Sequence, residues 1–262
     1  MIRDLFRLDG AVAFVSGAAG YLGRPMVRAL GEAGAHVILN GRQLGRLTEF
    51  AAELAKDGLS AECAAFDMAD TAAVRAFFAS RDRLDVLVNN AIAMTPKPFA
   101  LLEPGDFETT YMSAVAAAFE AARAALPALR QAVAASGEAR IVNIASMYAA
   151  VAPDKRIYAK PEQASPFHYG PAKAALLQLP RHLAAELAAD NIRVNALVPG
   201  PFPRPQISED DPAFAARLAG KTMLGRFGRA EEIAGPLLFL CSKASSYVTG
   251  AALAVDGGWT AW

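Results

Sequence analysis

The stretch SMYAAVAPDKRIYAKPEQASPFHYGPAK, residues 146–173, holds the side chains best suited to moving a proton. Reduction of a carbonyl needs a proton donor for the nascent alkoxide, and the reverse reaction needs a base for the alcohol. A free phenol titrates near pH 10, too high for a base near neutrality, and a neighbouring lysine cation lowers that value. On a helix, residues i and i+4 share a face. Of Tyr148, Tyr158 and Tyr169, only Tyr169 has a lysine at that spacing, Lys173. Tyr158 is followed four positions on by Glu162, whose charge would push its pKa up, and Tyr148 by Ala152. Tyr169 is therefore expected as the acid–base group, with Lys173 lowering its pKa. Proline is tolerated only in the first turn of a helix, so Pro171 starts this helix close to Phe167. The positive end of the helix dipole then also favours a phenolate at Tyr169. Ser146, at the end of a strand, is placed to hold the substrate oxygen. Tyr148 and His168 are further candidate substrate contacts, although a lone histidine more often packs or faces solvent. Residues 150–166 read as a solvent-facing loop insertion.

The elements that must position these groups alternate along the chain. Strand-like runs occupy 11–16, 35–40, 61–66, 84–89, 139–145, 192–198 and 252–256. Amphipathic, Ala-rich helical patterns occupy about 22–33, 43–57, 70–80, 106–135, 168–189 and 230–242. Near-continuous apolar strands between helices predict an α/β fold with a parallel sheet covered on both faces. Seven such strands make one doubly wound, Rossmann-like domain over residues 1–262. The Pro- and charge-rich segment 199–222 interrupts the pattern and reads as a substrate lid. Pro180 and Pro236 fall inside helical patterns, where kinks are expected.

The first strand runs into SGAAGYLGR, with Gly17, Gly20 and Gly23 in the turn and Tyr21 and Leu22 between them. A glycine-rich turn from strand to helix presents backbone N–H groups and a helix N-terminus to a phosphate. At the first βα turn of a doubly wound pattern it points to a dinucleotide. Arg24 is either a phosphate contact or a solvated helix residue. The second strand ends in VILNGR. An NAD site usually has a carboxylate there for the ribose hydroxyls. Here Gly41 takes that slot and Arg42 follows, so NADP(H) is favoured over NAD(H), unless Arg42 merely caps a surface turn.

Composition sets the outer bounds. Lys+Arg and Asp+Glu balance at 26 each, which argues against a nucleic-acid or anionic-membrane partner. Two distant cysteines, Cys63 and Cys241, fit a reducing compartment and no disulfide scaffold. The N-terminus does not read as a signal peptide, no uncharged apolar run reaches membrane-spanning length, and there is no metal-ligand spacing. A cytoplasmic protein without a metal, working on a small molecule, is expected.

The chain resembles the short-chain dehydrogenase/reductase family over essentially its whole length. The matching pieces are the glycine turn at 17–23, FDM at 66–68, NNA at 89–91, IVNIASM at 141–147, YGPAK at 169–173, IRVNALVPG at 192–200 and VTGAALAVDGG at 248–258. The resemblance implies hydride transfer to or from a nicotinamide and a Ser–Tyr–Lys site at Ser146, Tyr169 and Lys173. It implies that Lys173 also binds the cofactor ribose, that Asp67 and Met68 flank the adenine and that Asn89–Ala91 line the ribose. Pro199, Gly200 and Phe202 would lie beside the nicotinamide. It further implies a homo-oligomer, a tetramer, for which the Ala-rich segments 114–125 and 172–189 are candidate interfaces. VILNGR and SMY with its insertion look most like members that handle sugars or keto-sugar acids. The chain departs from the family at Ile92, where glycine is common, and at Arg204, where a threonine often steadies the nicotinamide amide. The asparagine usual in the helix after Phe107 falls on Ala114. Neighbouring Ser113 points about 100° away and can stand in only where the helix is distorted. The rival reading is a non-catalytic dinucleotide-binding sensor or scaffold, against which the Tyr169–Lys173 pair argues.

Overall fold

Each of the seven apolar runs forms a strand: β1 Val12–Ser16, β2 His36–Gly41, β3 Ala61–Ala65, β4 Val86–Asn89, β5 Ala139–Ile144, β6 Ile192–Pro199 and β7 Ala252–Val255. They make one parallel sheet in the order β3-β2-β1-β4-β5-β6-β7 in the computed structural model, which describes residues 1–159 and 164–262. Every residue of β5 and β6 is buried, because helices cover both faces of the sheet. On one face α1 (Gly23–Glu32), α2 (Leu44–Lys56) and α9 (Ala234–Cys241) bury Met26, Leu30, Phe50, Leu54 and Leu237. On the other, α3 (Thr71–Ala79), α5 (Ala117–Ser136) and α6 (Tyr169–Leu187) bury Val74, Phe78, Leu129 and Leu187.

The chain works outward from β1 in both directions, so β1 and β4 lie side by side and their loops part. That switch point opens a crevice at the carboxyl edge, where ligands bind in open α/β sheets. Ser16, Gly41, Asn89, Ile144 and Pro199 end their strands along this edge.

Three local features differ from the sequence reading. The helix expected at 106–135 is α4 (Pro104–Tyr111) and α5 joined by a π-helical turn, Met112–Ala116. The combined helix, Pro104–Ser136, has the length and hydropathy of a membrane-crossing helix, but most of it is packed inside the fold. Pro236 falls in the first turn of α9, which begins at Ala234, and not in a helix interior as expected. The segment 199–222, expected as a lid, contains two short helices, α7 (Ile207–Asp210) and α8 (Pro212–Ala219), the second started by Pro212 and by the Asp211 carboxylate accepting from Phe214 N at 2.8 Å.

Candidate active site

The glycine turn is built so tightly that side chains are excluded. Gly17 has φ +65°, and a Cβ on it would come within 2.9 Å of Asn90 Nδ2. A Cβ on Gly23 would meet the Gly17 carbonyl at 2.2 Å, so α1 starts directly against the turn. Ser16 ties the turn to the end of β4: its hydroxyl accepts from Asn90 N at 2.9 Å and Ala91 N at 3.0 Å. Asn90 Nδ2 donates back to the Ser16 carbonyl at 2.9 Å.

Two adjoining hollows extend from this turn, both bounded by Gly20, Asn90 and Ile92. The first, of about 270 Å³, is lined also by Gly17, Gly41, Arg42, Asp67, Met68 and Ala91. The second, of about 350 Å³, is lined also by Tyr21, Leu22, Gly23, Ser146, Tyr169, Lys173, Pro199, Gly200 and Phe202. Every cofactor residue expected from the sequence borders one or the other except Asn89. Asn89 is buried behind the wall and donates to Asn143 Oδ1 at 2.8 Å, while Asn90 faces the cleft. Ser16 and Asn90 carry the wall between them, a role the Asn–Asn–Ala motif alone did not separate.

The long cleft, the glycine cradle and the absence of a carboxylate at Gly41 fit a nicotinamide dinucleotide. Arg42 is exposed, and its Nη1 lies 3.9 Å from Asp67 Oδ2 across the first hollow. Arg24 instead pairs with Glu53 and lies over the Phe50 ring at 4.1 Å, so the phosphate reading of Arg24 is not supported. Among the described residues no group of His, Cys, Asp and Glu is arranged to hold a metal ion.

Ser146, Tyr169 and Lys173 share one wall of the second hollow. Helix α6 starts at Tyr169, two residues later than expected, and Pro171 sits in its first turn. Lys173 is fully buried and its ammonium donates to the Ile144 carbonyl at 2.6 Å. Desolvation lowers its pKa to about 8. Its Nζ lies 5.7 Å from the Tyr169 ring centroid. Burial raises the Tyr169 phenol above its ordinary value, and a hydrogen bond with Ser146 works in the opposite direction. The net direction at Tyr169 is thus upward, not the lysine-driven lowering that the i, i+4 spacing implied. The Lys173 ammonium is engaged with the Ile144 carbonyl, and burial dominates at the phenol.

Tyr158, the competing tyrosine, is elsewhere engaged. Its hydroxyl lies 3.1 Å from that of Tyr148, and its ring stacks on Phe214 of α8 at 5.2 Å. Glu162, expected to act on it, lies outside the described residues. Burial first, and Tyr158 second, raise the Tyr148 phenol. The insertion is more than a solvent-facing loop. Ile157 is buried, the Ile157 carbonyl accepts from Arg217 Nε at 2.6 Å, and Asp154 pairs with Lys221 at 3.1 Å. Residues 154–158 are therefore a seat for α8 and the Lys221 that follows it. His168 is buried beside Phe107, ring centroids 6.0 Å apart, and does not border the second hollow.

The π turn settles the position of Ser113. Its hydroxyl is buried, accepts from Ala93 N at 3.1 Å and lies 2.9 Å from the Ala93 carbonyl. The local distortion aims Ser113 at the cleft wall, while Ala114 packs with Val115, Ala118 and Leu176.

A family model described as enoyl-(acyl carrier protein) reductase matches residues 17–260. A galactitol 2-dehydrogenase (L-tagatose-forming) of Cereibacter sphaeroides is 38% identical over 266 residues, covering 99% of each chain. A rhamnolipid-biosynthesis 3-oxoacyl-[acyl-carrier-protein] reductase of Pseudomonas aeruginosa is 34% identical, covering 98% of this chain and 99% of its own. The crystal structure of a gluconate 5-dehydrogenase from Burkholderia cenocepacia, in complex with NADP and tartrate, superposes with a TM-score of 0.86 at 32% identity over the full length of both chains. This chain belongs to the short-chain dehydrogenase/reductase family and is a nicotinamide-dependent oxidoreductase acting on CH–OH groups.

Proposed function

We propose that the protein is an NADP(H)-dependent oxidoreductase of polyols or sugar acids and their keto forms. The observation that carries this reading is the convergence of Ser146, Tyr169 and Lys173 on the wall of a cleft that begins at the glycine turn. The nicotinamide, when bound, supplies or accepts the hydride. Tyr169 gives the proton to the nascent alkoxide, or takes it from the alcohol, and Ser146 orients that oxygen. Lys173 holds a positive charge beneath the site and binds the cofactor ribose. Gly41 and Arg42 support a preference for the 2′-phosphate, since no carboxylate at the strand end repels it. The polyol and sugar-acid substrates named for the galactitol and gluconate relatives support the substrate class.

A second reading, a 3-oxoacyl reductase, is favoured by one feature. A cavity of about 690 Å³ beside Gly170 is walled by Pro98, Phe99, Val151, Pro153 and Phe167 and would suit an apolar chain. NADPH and NADH oxidation with L-tagatose, a ketogluconate and a 3-oxoacyl thioester separates these readings. Turnover of the sugars supports the first, and turnover of the thioester alone the second. Tight NADPH binding without turnover of any would favour the sensor or scaffold role.

A homotetramer belongs to the same proposal, on altered grounds. Ala117, Ala118, Ala121, Ala122 and Ala125 are buried within the chain and offer no free surface. What the helix leaves exposed is Tyr111, Met112 and Phe119, an apolar face suited to a second copy. Light scattering at micromolar concentration tests it, and a monomer would contradict it.

A further inference from the structure

The lid begins on the phosphate turn itself. Tyr21, between Gly20 and Leu22, donates its hydroxyl to the Pro203 carbonyl at 2.8 Å. The next residue, Arg204, holds its guanidinium 5.4 Å from the Tyr21 ring centroid. The approach is fixed from behind as well. Gly228 N donates to the Pro201 carbonyl at 2.9 Å, and the Phe202 ring fills the space a Cβ on Gly228 would need. Arg204 is exposed, and among the described residues no carboxylate lies within 4 Å of its guanidinium. A cation stacked on an aromatic ring and lacking a counter-ion is poised for an anion. The anion a dinucleotide brings to a glycine turn at a helix N-terminus is its diphosphate.

We propose that Arg204 is a diphosphate-binding residue carried by the lid, seated on Tyr21, so that cofactor binding and lid closure are one event. Tyr21 does two jobs in this arrangement. Its hydroxyl fixes the Pro203 backbone, and its ring aims the guanidinium along the turn. Arg204 adds a charge-assisted contact beside the glycine turn, from its seat on Tyr21. Its negative partner arrives only with the cofactor, so the lid is held most firmly in the loaded protein. The inference rests on the dinucleotide reading above and extends it to the lid.

NADPH affinity and release test it, by fluorescence titration and stopped-flow displacement without substrate, on wild type, Arg204→Ala, Arg204→Lys and Tyr21→Phe. Arg204→Ala is expected to raise the NADPH Kd about tenfold, mostly through faster release, with the lysine variant between. Tyr21→Phe should raise it less. Adenosine 2′-monophosphate, which lacks both phosphates of the diphosphate, should bind wild type and Arg204→Ala within about twofold. Limited trypsin cleavage after Arg217 and Lys221 should be suppressed by NADPH in wild type and much less so in Arg204→Ala, at equal circular dichroism. Unchanged NADPH affinity in Arg204→Ala, with a raised KM for an acidic substrate, would assign the arginine to the substrate and overturn the proposal. An equal loss for adenosine 2′-monophosphate would overturn it too. A wild type that binds neither NADPH nor NADH would remove the dinucleotide reading and the latch together.

Discussion

Replacing Lys173 by methionine should remove activity and be better tolerated by the fold at pH 7 than at pH 10. Lys173 is fully buried, and its pKa falls from 10.5 to about 8. Below pH 8 the folded state carries a desolvated cation, whereas the unfolded state carries a hydrated one. The folded form therefore binds fewer protons than the unfolded form between the two values, and stability rises with pH across that window. At pH 7 the shift of about 2.5 units costs roughly 3 kcal/mol. At pH 10, where most folded molecules hold the neutral amine, about 1 kcal/mol of that cost remains. Methionine removes the charge at both pH values. It also removes the hydrogen bond to the Ile144 carbonyl, whose dependence on protonation is already contained in the Lys173 pKa, so the difference between the two pH values follows that pKa alone. Urea unfolding of wild type and Lys173→Met at pH 7 and pH 10 should therefore give mutational free energies that differ by roughly 2 to 3 kcal/mol, with the variant relatively more stable at pH 7. A difference under about 0.5 kcal/mol would mean that Lys173 titrates near its ordinary value, and the desolvated-cation argument would fail.

Arg42→Ala should weaken NADPH about tenfold and leave NADH nearly unchanged in direct titration, the low end for a charged contact because the side chain is exposed; equal losses would exclude a 2′-phosphate role. Ser113→Ala, harmless by helix register alone, should destabilise the fold by about 1 kcal/mol, because the half-buried Ala93 N–H loses its acceptor; it should also weaken cofactor binding, and an unchanged urea midpoint would argue against the anchoring role. Phe214→Ala should loosen the lid from the insertion, raising substrate KM, the rate of trypsin cleavage at Arg217 and, through the coupling of lid and cofactor, the NADPH Kd by several-fold. No change in either lid readout would mean that the Tyr158–Phe214 contact does not hold the lid.

Strand positions were legible because a buried parallel strand needs an unbroken apolar run, and all seven runs occur within two residues of where they fold. Lys173 was legible because i, i+4 spacing on a helix fixes a shared face whatever the loop before it does. What stayed hidden depends on contacts between distant residues. Tyr158 and Phe214 lie far apart in sequence, and nothing local to either shows that the insertion seats the lid. Arg24 reads as a phosphate ligand until Glu53 and Phe50, one helix away, are seen to occupy it. Asn89 and Asn90 are adjacent and chemically identical. Only the end of β4 decides that one turns to Asn143 and the other to the cleft. The π turn at Met112–Ala116 leaves no residue signature, since none of its five residues is a helix breaker.

Turnover and NADPH affinity measured side by side for Tyr169→Phe and Tyr158→Phe test the proton-transfer assignment most directly. Tyr169→Phe should lower kcat by about a hundredfold or more, the usual contribution of one positioned acid or base, with NADPH affinity kept within a few-fold. Tyr158→Phe should keep both, apart from a modest rise in substrate KM through the lid. An inactive Tyr158→Phe beside an active Tyr169→Phe would contradict the assignment and place the acid in the insertion.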